Sequence, residues 1–265
     1  MGYVRDVFGQ RHMEKLIGNY GIGHVRYPTA GGNGKEFAQP MYVNSPYGIS
    51  IAHNGNLTNA KQLGNELFHA EMRHLQTDSD SEVLLNVFAH ELAKQREIYP
   101  TAKNIFKAVR KTHIRCDGAY AILALITGYG IVAFRDINGI RPLSIGIRKG
   151  KKRDEYIIAS EDALFVTLGF KKMRDIDPGE AIFIDKDGNL FSEQCAQETH
   201  IRPCIFEYVY FSRPDSKIDE ISVYKARMRM GSKLAKQIKE INPNHDIDVV
   251  IPVSYTHLRA HETTD

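Results

Sequence analysis

One stretch limits the possible folds of this chain more than any other, Ile49–Asn59, which reads Ile-Ser-Ile-Ala-His-Asn-Gly-Asn-Leu-Thr-Asn. Its apolar run leads into Asn54-Gly55, and the residues that follow have helical composition with Thr58 or Asn59 as the cap. Asn-Gly most often marks a hairpin turn, because both residues tolerate positive φ. No second strand follows at once, so we predict a strand that ends in a tight turn before a helix. Such a turn would present an amide side chain and a backbone N–H together, as in an oxyanion hole.

A second run, Gly118–Phe134, carries no charged residue and approaches the length of a transmembrane helix. Its middle, Thr127-Gly128-Tyr129-Gly130, has turn composition. We therefore predict two buried antiparallel strands rather than a membrane span.

Helices are predicted where apolar residues recur at helical spacing. These are Ser79–Arg96, in which Ser79 and Glu82 have capping-box spacing, Ala102–Thr112 and Ser222–Ile241. A short helix is expected after Ser160, with Ser160 as its cap. Strands are predicted over Tyr20–Arg26, Gly48–His53, Ala119–Ile126, Ile131–Phe134, Leu143–Ile147, Tyr156–Ala159 and Ala181–Ile184. A strand, two helices and then many antiparallel strands indicate an α+β protein rather than a doubly wound sheet.

Composition excludes few functions, but it narrows the class of protein. The formal charge of +3 is spread without a block of like charges, so we expect neither nucleic-acid nor membrane-surface binding. Three cysteines, Cys116, Cys195 and Cys204, fit neither a disulfide scaffold nor a zinc site. No secretory signal is visible at the N-terminus, and we expect a reducing, cytoplasmic location.

Five motifs together resemble one known family. They are His24–Thr29 (His-Val-Arg-Tyr-Pro-Thr), Ala52–Leu57 (Ala-His-Asn-Gly-Asn-Leu), Ser79–Glu82 (Ser-Asp-Ser-Glu), Phe134–Leu143 (Phe-Arg-Asp-Ile-Asn-Gly-Ile-Arg-Pro-Leu) and Arg213–Ser216 (Arg-Pro-Asp-Ser). The chain resembles the amidophosphoribosyltransferases, whose first domain is an N-terminal-nucleophile glutaminase. Other glutaminase-coupled synthases share the Asn-Gly element, but they do not combine His24–Thr29 with Phe134–Leu143 and Arg213–Ser216.

The resemblance covers roughly residues 1–253 and implies a division into domains. Residues 1–205 would form a type 2 glutamine amidotransferase domain that lacks its N-terminal strand, an αββα sandwich of antiparallel sheets. Residues 206–253 would hold the junction and the first helix and strand of an α/β phosphoribosyltransferase domain. Residues 254–265 resemble no part of the family and are expected to be a non-native tail.

The resemblance also implies site residues. Asn54, through its side chain, and Gly55, through its backbone N–H, would hold the oxyanion. Arg26 would bind the α-carboxylate of glutamine and Asp80 its α-ammonium group, while Tyr27 and Thr29 would line the pocket. The alternatives are ordinary turn residues at 54–55, a solvated arginine at 26, and at 80 an acid favoured by a helix N-terminus. His24 and His53 are interpreted as structural.

In the family the nucleophile is an N-terminal cysteine whose own α-amine acts as base. The printed sequence begins Met1-Gly2, and its three cysteines are internal. We therefore expect a fragment, truncated at both ends, that does not itself hydrolyse glutamine. The resemblance implies no metal or cofactor in this chain and magnesium in the complete protein. It leaves open an iron–sulfur cluster with its first ligand near Cys204.

The predicted function is that of the parent protein: glutamine hydrolysis supplies ammonia to phosphoribosylpyrophosphate, which gives 5-phosphoribosylamine for purine synthesis. The expected partners are glutamine, phosphoribosylpyrophosphate and, in the complete protein, further copies of the same chain. Two alternatives stay open, another glutaminase-coupled synthase and a glutamine-binding module without a nucleophile.

Overall fold

The computed structural model describes residues 4–26 and 34–249. Expectations for Tyr27, Thr29, residues 250–253 and the tail 254–265 lie outside these ranges. Within them the α-helices are α1 (Val4–Val7), α2 (Gln10–Met13), α3 (Ala60–His69), α4 (Asp80–Ala93), α5 (Ala102–Arg115), α6 (Ala163–Thr167) and α7 (Val223–Ile241). Lys35–Phe37 forms a 3-10 turn and Glu207–Phe211 a π-helical turn.

The strands are all paired in antiparallel fashion. They are β1 (Met41–Val43), β2 (Ile49–Leu57), β3 (Gly118–Ile126), β4 (Gly130–Arg135), β5 (Ser144–Lys149), β6 (Asp154–Ala159), β7 (Lys171–Asp175), β8 (Glu180–Asp185), β9 (Leu190–Gln194), β10 (Lys217–Ile218) and β11 (Ile221–Ser222). A six-stranded sheet has the order β1-β2-β3-β4-β8-β9, a three-stranded sheet the order β6-β5-β7, and β10 pairs with β11.

The uncharged run forms the centre of the large sheet. β3 and β4 pair directly, with Ile126 opposite Gly130, and Gly128 adopts a φ of +83° in the turn between them. The prediction of two antiparallel strands is confirmed. Nor does any helix in the described ranges combine the length and the apolar character needed to cross a bilayer.

Helices α3, α4 and α5 cover one face of the large sheet. The predicted stripe of α4 (Val83, Leu84, Val87, Phe88 and Leu92) is at most 3% exposed and joins the main core. Burial of each such side chain stabilises the fold by roughly 1.5–3 kcal/mol. This packing holds the N-terminus of α4 against β2.

The three-stranded sheet packs on the opposite face. Leu143 and Ile145 from its side meet Ala121, Ala133 and Ile182 of the large sheet in a second core. The short helix α6 packs on the small sheet through the buried Phe165, and β10 also contacts this side through a hydrogen bond from Lys172 of β7 to the Lys217 carbonyl. The α+β class with antiparallel sheets is confirmed.

The largest correction concerns Asn54-Gly55. These residues form no turn, because β2 continues to Leu57 and pairs with β3 over its whole length. The positive φ that Asn-Gly favours is used within the strand, where Gly55 has a φ of +150°. Local turn propensity is overridden by pairing with β3, which lies some sixty residues further along the chain.

Smaller corrections concern single elements. No strand is present over residues 20–26. The short helix α6 begins after Asp162 rather than Ser160, and without a side-chain cap. Ser79 caps α4 by accepting a hydrogen bond from the Ser81 N–H, but Glu82 closes no capping box. Its carboxylate instead accepts from the N–H groups of residues 76 and 77, at 2.7 Å each.

Charged side chains bind the segment after residue 205 to the two packed sheets. Arg135 is 1% exposed and binds Asp219, in the turn between β10 and β11, through two hydrogen bonds of 2.8 Å. Glu161 accepts hydrogen bonds from the Arg213 N–H and the Ser216 hydroxyl. The junction motif 213–216 therefore packs on the loop that follows β6.

Candidate functional site

The open edge of β2 is the centre of the candidate site. β1 pairs with β2 only as far as Ile51, so residues 52–57 have β3 on one side and, in the described ranges, no strand on the other. The N–H groups of His53 and Leu57 point to that open side. Gln39 Oε1 accepts from the first at 2.6 Å, and Asp80 Oδ2 accepts from the second at 3.0 Å.

Gly55 lies midway between these two donors. Because N–H groups alternate along a strand, the Gly55 N–H faces the same open side. Tyr120 lies opposite Gly55 on β3, but its N–H donates to Asp136 Oδ2 and its carbonyl accepts from the Asp136 N–H. Both backbone groups of Tyr120 therefore point away from Gly55. No acceptor for the Gly55 N–H is found among residues 4–26 and 34–249, so within them it is an open donor.

Only glycine fits at this position. At a φ of +150°, a β-carbon on Gly55 would stand 2.0 Å from the Ala119 carbonyl oxygen. The close approach of β2 and β3 at this point therefore requires a residue without a side chain.

Asn54 projects to the other face, between the two sheets. Its Oδ1 accepts from Arg141 Nε at 3.1 Å and from Arg141 Nη2 at 2.6 Å. A guanidinium group can only donate, so the atom facing it must be the amide oxygen. The Asn54 amide N–H₂ group is thereby turned away from Arg141, with Ser160 Oγ at 3.5 Å.

Asp80 is the first residue of α4 and is half-buried. Its position there is favoured by the helix dipole, as the structural alternative proposes. It also ties the helix start to the end of β2 through the Leu57 N–H. No described residue hydrogen-bonds its second carboxylate oxygen, so Asp80 is both a structural tie and an acceptor.

Arg26 is related to this edge through the two histidines, since it influences His24 and His24 influences His53 of β2. Burial lowers the pKa of His53, the Asp80 carboxylate opposes that shift, and the charges of His24 and Arg141 add to it. Burial, followed by the Arg26 charge, lowers the pKa of His24. The two imidazoles are therefore kept neutral, which agrees with a structural role.

The side chain of Arg26 is half-buried, with its guanidinium carbon 5.5 Å from the centre of the Phe37 ring. Tyr27 and Thr29 lie outside the described ranges. The structure thus brings Asn54, Gly55 and Asp80 to one end of β2. It places Arg26 near His24, and His24 near His53 of β2.

Sequence reasoning missed three supporting residues. Gln39 receives the His53 N–H and donates to the Ser81 hydroxyl at 3.1 Å, and Ser81 Oγ lies 3.0 Å from His53 Nδ1. Arg141 stands within a recognised motif, yet nothing local in it indicates a contact with Asn54. These contacts join residues 14 to 87 positions apart, which no helical or strand period reveals.

Two of the three thiols are unsuited to nucleophilic chemistry. Burial raises the pKa of Cys116 and of Cys195 to about 12 each, so both stay protonated at neutral pH. Cys204 is half-exposed and packs beside the turn at residues 138–140, because its N–H donates to the Ile140 carbonyl.

The donor set of the described residues does not fit a metal or an iron–sulfur cluster. No group of three or more His, Cys, Asp or Glu side chains in that part of the chain could hold a metal ion. Cys204 and the other two cysteines are all free thiols. We therefore derive no step through a metal.

Two surface depressions lie away from β2. One is lined by residues of α7, including Ser232 and Lys236, and the other lies between Pro100, Tyr129 and Phe191. The first is an open helix surface. In the second, the Asp185 carboxylate already accepts hydrogen bonds from the N–H groups of Asp187 and Asn189 in the turn after β8. The chemistry of the β2 edge, rather than cavity size, identifies the candidate site.

Comparison with known proteins identifies the family of this chain. The glutamine amidotransferase domain family matches residues 32–167, just over half of the chain, including Asn54, Gly55, Asp80 and Arg141. A solved structure described as the glutamine phosphoribosylpyrophosphate amidotransferase from B. subtilis complexed with ADP and GMP is 36% identical, with a TM-score of 0.65. That match covers 81% of this chain and 43% of the other.

Full-length relatives extend the match. The amidophosphoribosyltransferase of Pseudomonas aeruginosa is 58% identical over 259 residues, which are 98% of this chain and 52% of the relative. That of Escherichia coli is 56% identical, over 96% of this chain and 51% of the relative. The chain thus spans about half the length of the curated relatives it matches. It belongs to the glutamine amidotransferase domain family and corresponds to the N-terminal glutamine amidotransferase region of the amidophosphoribosyltransferases.

Proposed function

We propose that this chain binds glutamine at the open edge of β2 and that the complete protein hydrolyses glutamine there. One observation carries the proposal: the Gly55 N–H is an open donor, flanked by the bonded N–H groups of His53 and Leu57. Asn54, the preceding residue, has its amide N–H₂ turned away from Arg141. These are two hydrogen-bond donors on adjacent residues, as an oxyanion hole requires.

The chemistry proposed for them is stabilisation of developing charge. When a thiolate attacks the carboxamide carbon of glutamine, the amide oxygen becomes an oxyanion. Donation from Asn54 and Gly55 stabilises that oxygen, ammonia leaves as the thioester forms, and water then releases glutamate. Loss of one such donor costs about 3–4 kcal/mol of transition-state stabilisation. By family resemblance, the thiolate belongs to an N-terminal cysteine whose α-amine takes the proton.

The two ends of glutamine's backbone need opposite charges. We propose that Asp80 pairs with the α-ammonium group, since no described residue hydrogen-bonds its second oxygen. Arg26 is the proposed partner of the α-carboxylate, which a guanidinium fork matches in a bidentate way. Tyr27 and Thr29 are proposed to line the pocket between them.

For the complete protein we propose the activity that its relatives' name describes. Ammonia from glutamine would react with phosphoribosylpyrophosphate to give 5-phosphoribosylamine, a step of purine synthesis in the cytoplasm. The glutaminase part would be residues 1–205, and residues 206–253 would open the phosphoribosyltransferase part, where magnesium is expected. Assembly of several copies is a further expectation for the complete protein.

A second function, glutamine binding without hydrolysis, is favoured by the state of the thiols. Cys116 and Cys195 are protonated and buried, and neither can attack a substrate at β2. We therefore expect the 265-residue chain alone to bind glutamine without hydrolysing it.

Glutamate release from glutamine tests both functions. The chain as given should release none, and a chain extended with a cysteine-led N-terminal strand from the Pseudomonas aeruginosa relative should release glutamate. The matched control is the same extension with that cysteine changed to serine. Activity of the unextended chain that Cys204→Ala abolishes would show that an internal thiol does the chemistry. A folded extended chain without activity would contradict the placement of the site at Asn54.

A further inference from the structure

The side chain of Arg141 connects Asn54 of the candidate site to Glu207. Its side chain is 17% exposed, and its N–H groups are divided between two partners. Nε and Nη2 donate to Asn54 Oδ1, and Nη1 lies 2.9 Å from Glu207 Oε1. Its guanidinium carbon also lies 5.4 Å from the centre of the Phe211 ring.

The backbone of Arg141 is equally fixed. Its N–H donates to Asp136 Oδ2 at 3.3 Å, and its carbonyl accepts from Arg135 Nε at 2.7 Å. Asp136 also accepts from the N–H groups of Asn138 and Ile140, which shapes the turn after β4. Arg141 therefore starts from a rigid base and reaches Asn54 with little freedom to move.

Glu207 belongs to the π-helical turn that follows the sandwich. It is 6% exposed, and its other oxygen accepts from the Ser212 hydroxyl at 3.0 Å. The Ser212 carbonyl in turn accepts from Arg227 of α7, at 2.7 Å. Hydrogen bonds and one ion pair, that between Arg141 and Glu207, thus lead from Asn54 to Arg227 of α7.

We propose that Arg141 is a positioning residue for glutamine hydrolysis, and that Glu207 holds it in place. Arg141 occupies the Asn54 amide oxygen, so the N–H₂ group, whose one contact among the described residues is the long 3.5 Å contact with Ser160 Oγ, is left to donate to substrate. Donation to Oδ1 also polarises the amide, which makes its N–H groups stronger donors. The inference rests on the proposed function, because it assigns Arg141 a part in the oxyanion hole.

The first test follows the Asn54 amide itself and needs no catalysis. In the ¹⁵N-labelled chain the Asn54 side-chain resonances are assigned by their loss in Asn54→Ala. Arg141→Met should shift them toward the positions of solvated amides, and Arg141→Lys should shift them partway. The matched control is Arg148→Met, which removes an arginine that is also ion-paired, to Glu155, and also lies over a ring, at 4.4 Å from the Phe170 centroid. That control should leave the Asn54 resonances unmoved.

Glu207→Gln tests the second half of the proposal and guards against misfolding of Arg141→Met. Glu207→Gln keeps the Arg141 guanidinium but weakens its ion pair with residue 207. We therefore expect the Asn54 side-chain resonances to shift in the same direction as in Arg141→Met, but by less. If Arg141→Lys and Glu207→Gln both leave the Asn54 amide unmoved in a folded chain, the proposal is overturned.

The second test is kinetic and uses the full-length protein that carries this sequence. Arg141→Met should lower kcat for glutamine hydrolysis by about 10²–10³, as loss of an oxyanion donor does, with KM little changed. A raised KM at unchanged kcat would show that Arg141 binds substrate, and would refute the positioning role. If the full-length protein hydrolyses no glutamine at all, the proposed function fails, while the resonance shifts still decide whether Arg141 orients Asn54.

Discussion

Replacement of Gly55 by alanine adds a single β-carbon, which affects both the candidate site and the stability of the fold. The new β-carbon would stand 2.0 Å from the Ala119 carbonyl oxygen, and the residue would have to keep a φ of +150°. Backbone strain of this kind costs about 1–3 kcal/mol. Relief of the overlap by moving β2 away from β3 costs about as much again. We expect Gly55→Ala to lower the free energy of unfolding by about 3–5 kcal/mol.

The chain offers a matched control far from the site. Gly130, at the start of β4, has a φ of +146°, and a β-carbon there would stand 2.1 Å from the Ile184 carbonyl oxygen. Gly128→Ala supplies the φ cost alone, since its φ is +83° and nothing lies within 4 Å of its β-carbon. Denaturant unfolding should rank Gly55→Ala and Gly130→Ala well below Gly128→Ala in stability.

Glutamine binding separates the two strained variants. At a temperature where both are folded, Gly55→Ala should lose binding, because its N–H is displaced with β2, whereas Gly130→Ala should keep it. Equal binding by the two variants would refute the assignment of the Gly55 N–H. A destabilisation of Gly55→Ala no larger than that of Gly128→Ala would refute the packing argument.

Two further predictions concern stability. Burial lowers the pKa of His113 to about 4, although a backbone hydrogen bond with Gly179 opposes the shift. In the unfolded chain the pKa of this group is near 6.5, so between these two values the unfolded state binds more protons than the folded state. The free energy of unfolding therefore falls as the pH is lowered from about 6.5 to 4. That loss is about 3 kcal/mol, and His113→Gln should flatten the pH dependence measured by denaturant unfolding; an unchanged slope would contradict it. Asp219→Asn removes the charge beside the buried Arg135, and asparagine tolerates the φ of +46° at this position, so the change should lower the free energy of unfolding by about 3 kcal/mol. Asp215 forms an exposed ion pair with Arg213 and supplies the control. A loss no greater than that of Asp215→Asn would contradict a stabilising junction.

Sequence predicts those parts of the fold that have a local pattern. The apolar stripe of α4 and the two halves of the uncharged run could be read directly, and both are confirmed. β7 reads Lys-Lys-Met-Arg-Asp and β9 reads Leu-Phe-Ser-Glu-Gln, so neither shows a buried strand pattern. Both are formed by pairing at a sheet edge, which depends on partners distant in sequence.

The candidate site was predictable to a similar degree. Asn54, Gly55 and Asp80 were named from motifs, but their geometry was misjudged, because Asn-Gly was interpreted as a turn. The Gly55 N–H lies instead at an uncovered strand edge, and the Asn54 side chain projects between the two sheets. Both positions depend on the whole sheet rather than on local sequence. Arg141 could not be assigned, because its contact with Asn54 spans 87 residues and exists only after two sheets have packed.

Titration of the ¹⁵N-labelled chain with L-glutamine tests the central claim most directly. The account predicts shifts of the Gly55 backbone amide and the Asn54 side-chain amide, with D-glutamine as the matched ligand control and Asp80→Asn as the variant that weakens both shifts. Shifts confined to other surfaces, such as the open face of α7, or shifts of equal size with the D-isomer, would contradict a glutamine site at the edge of β2.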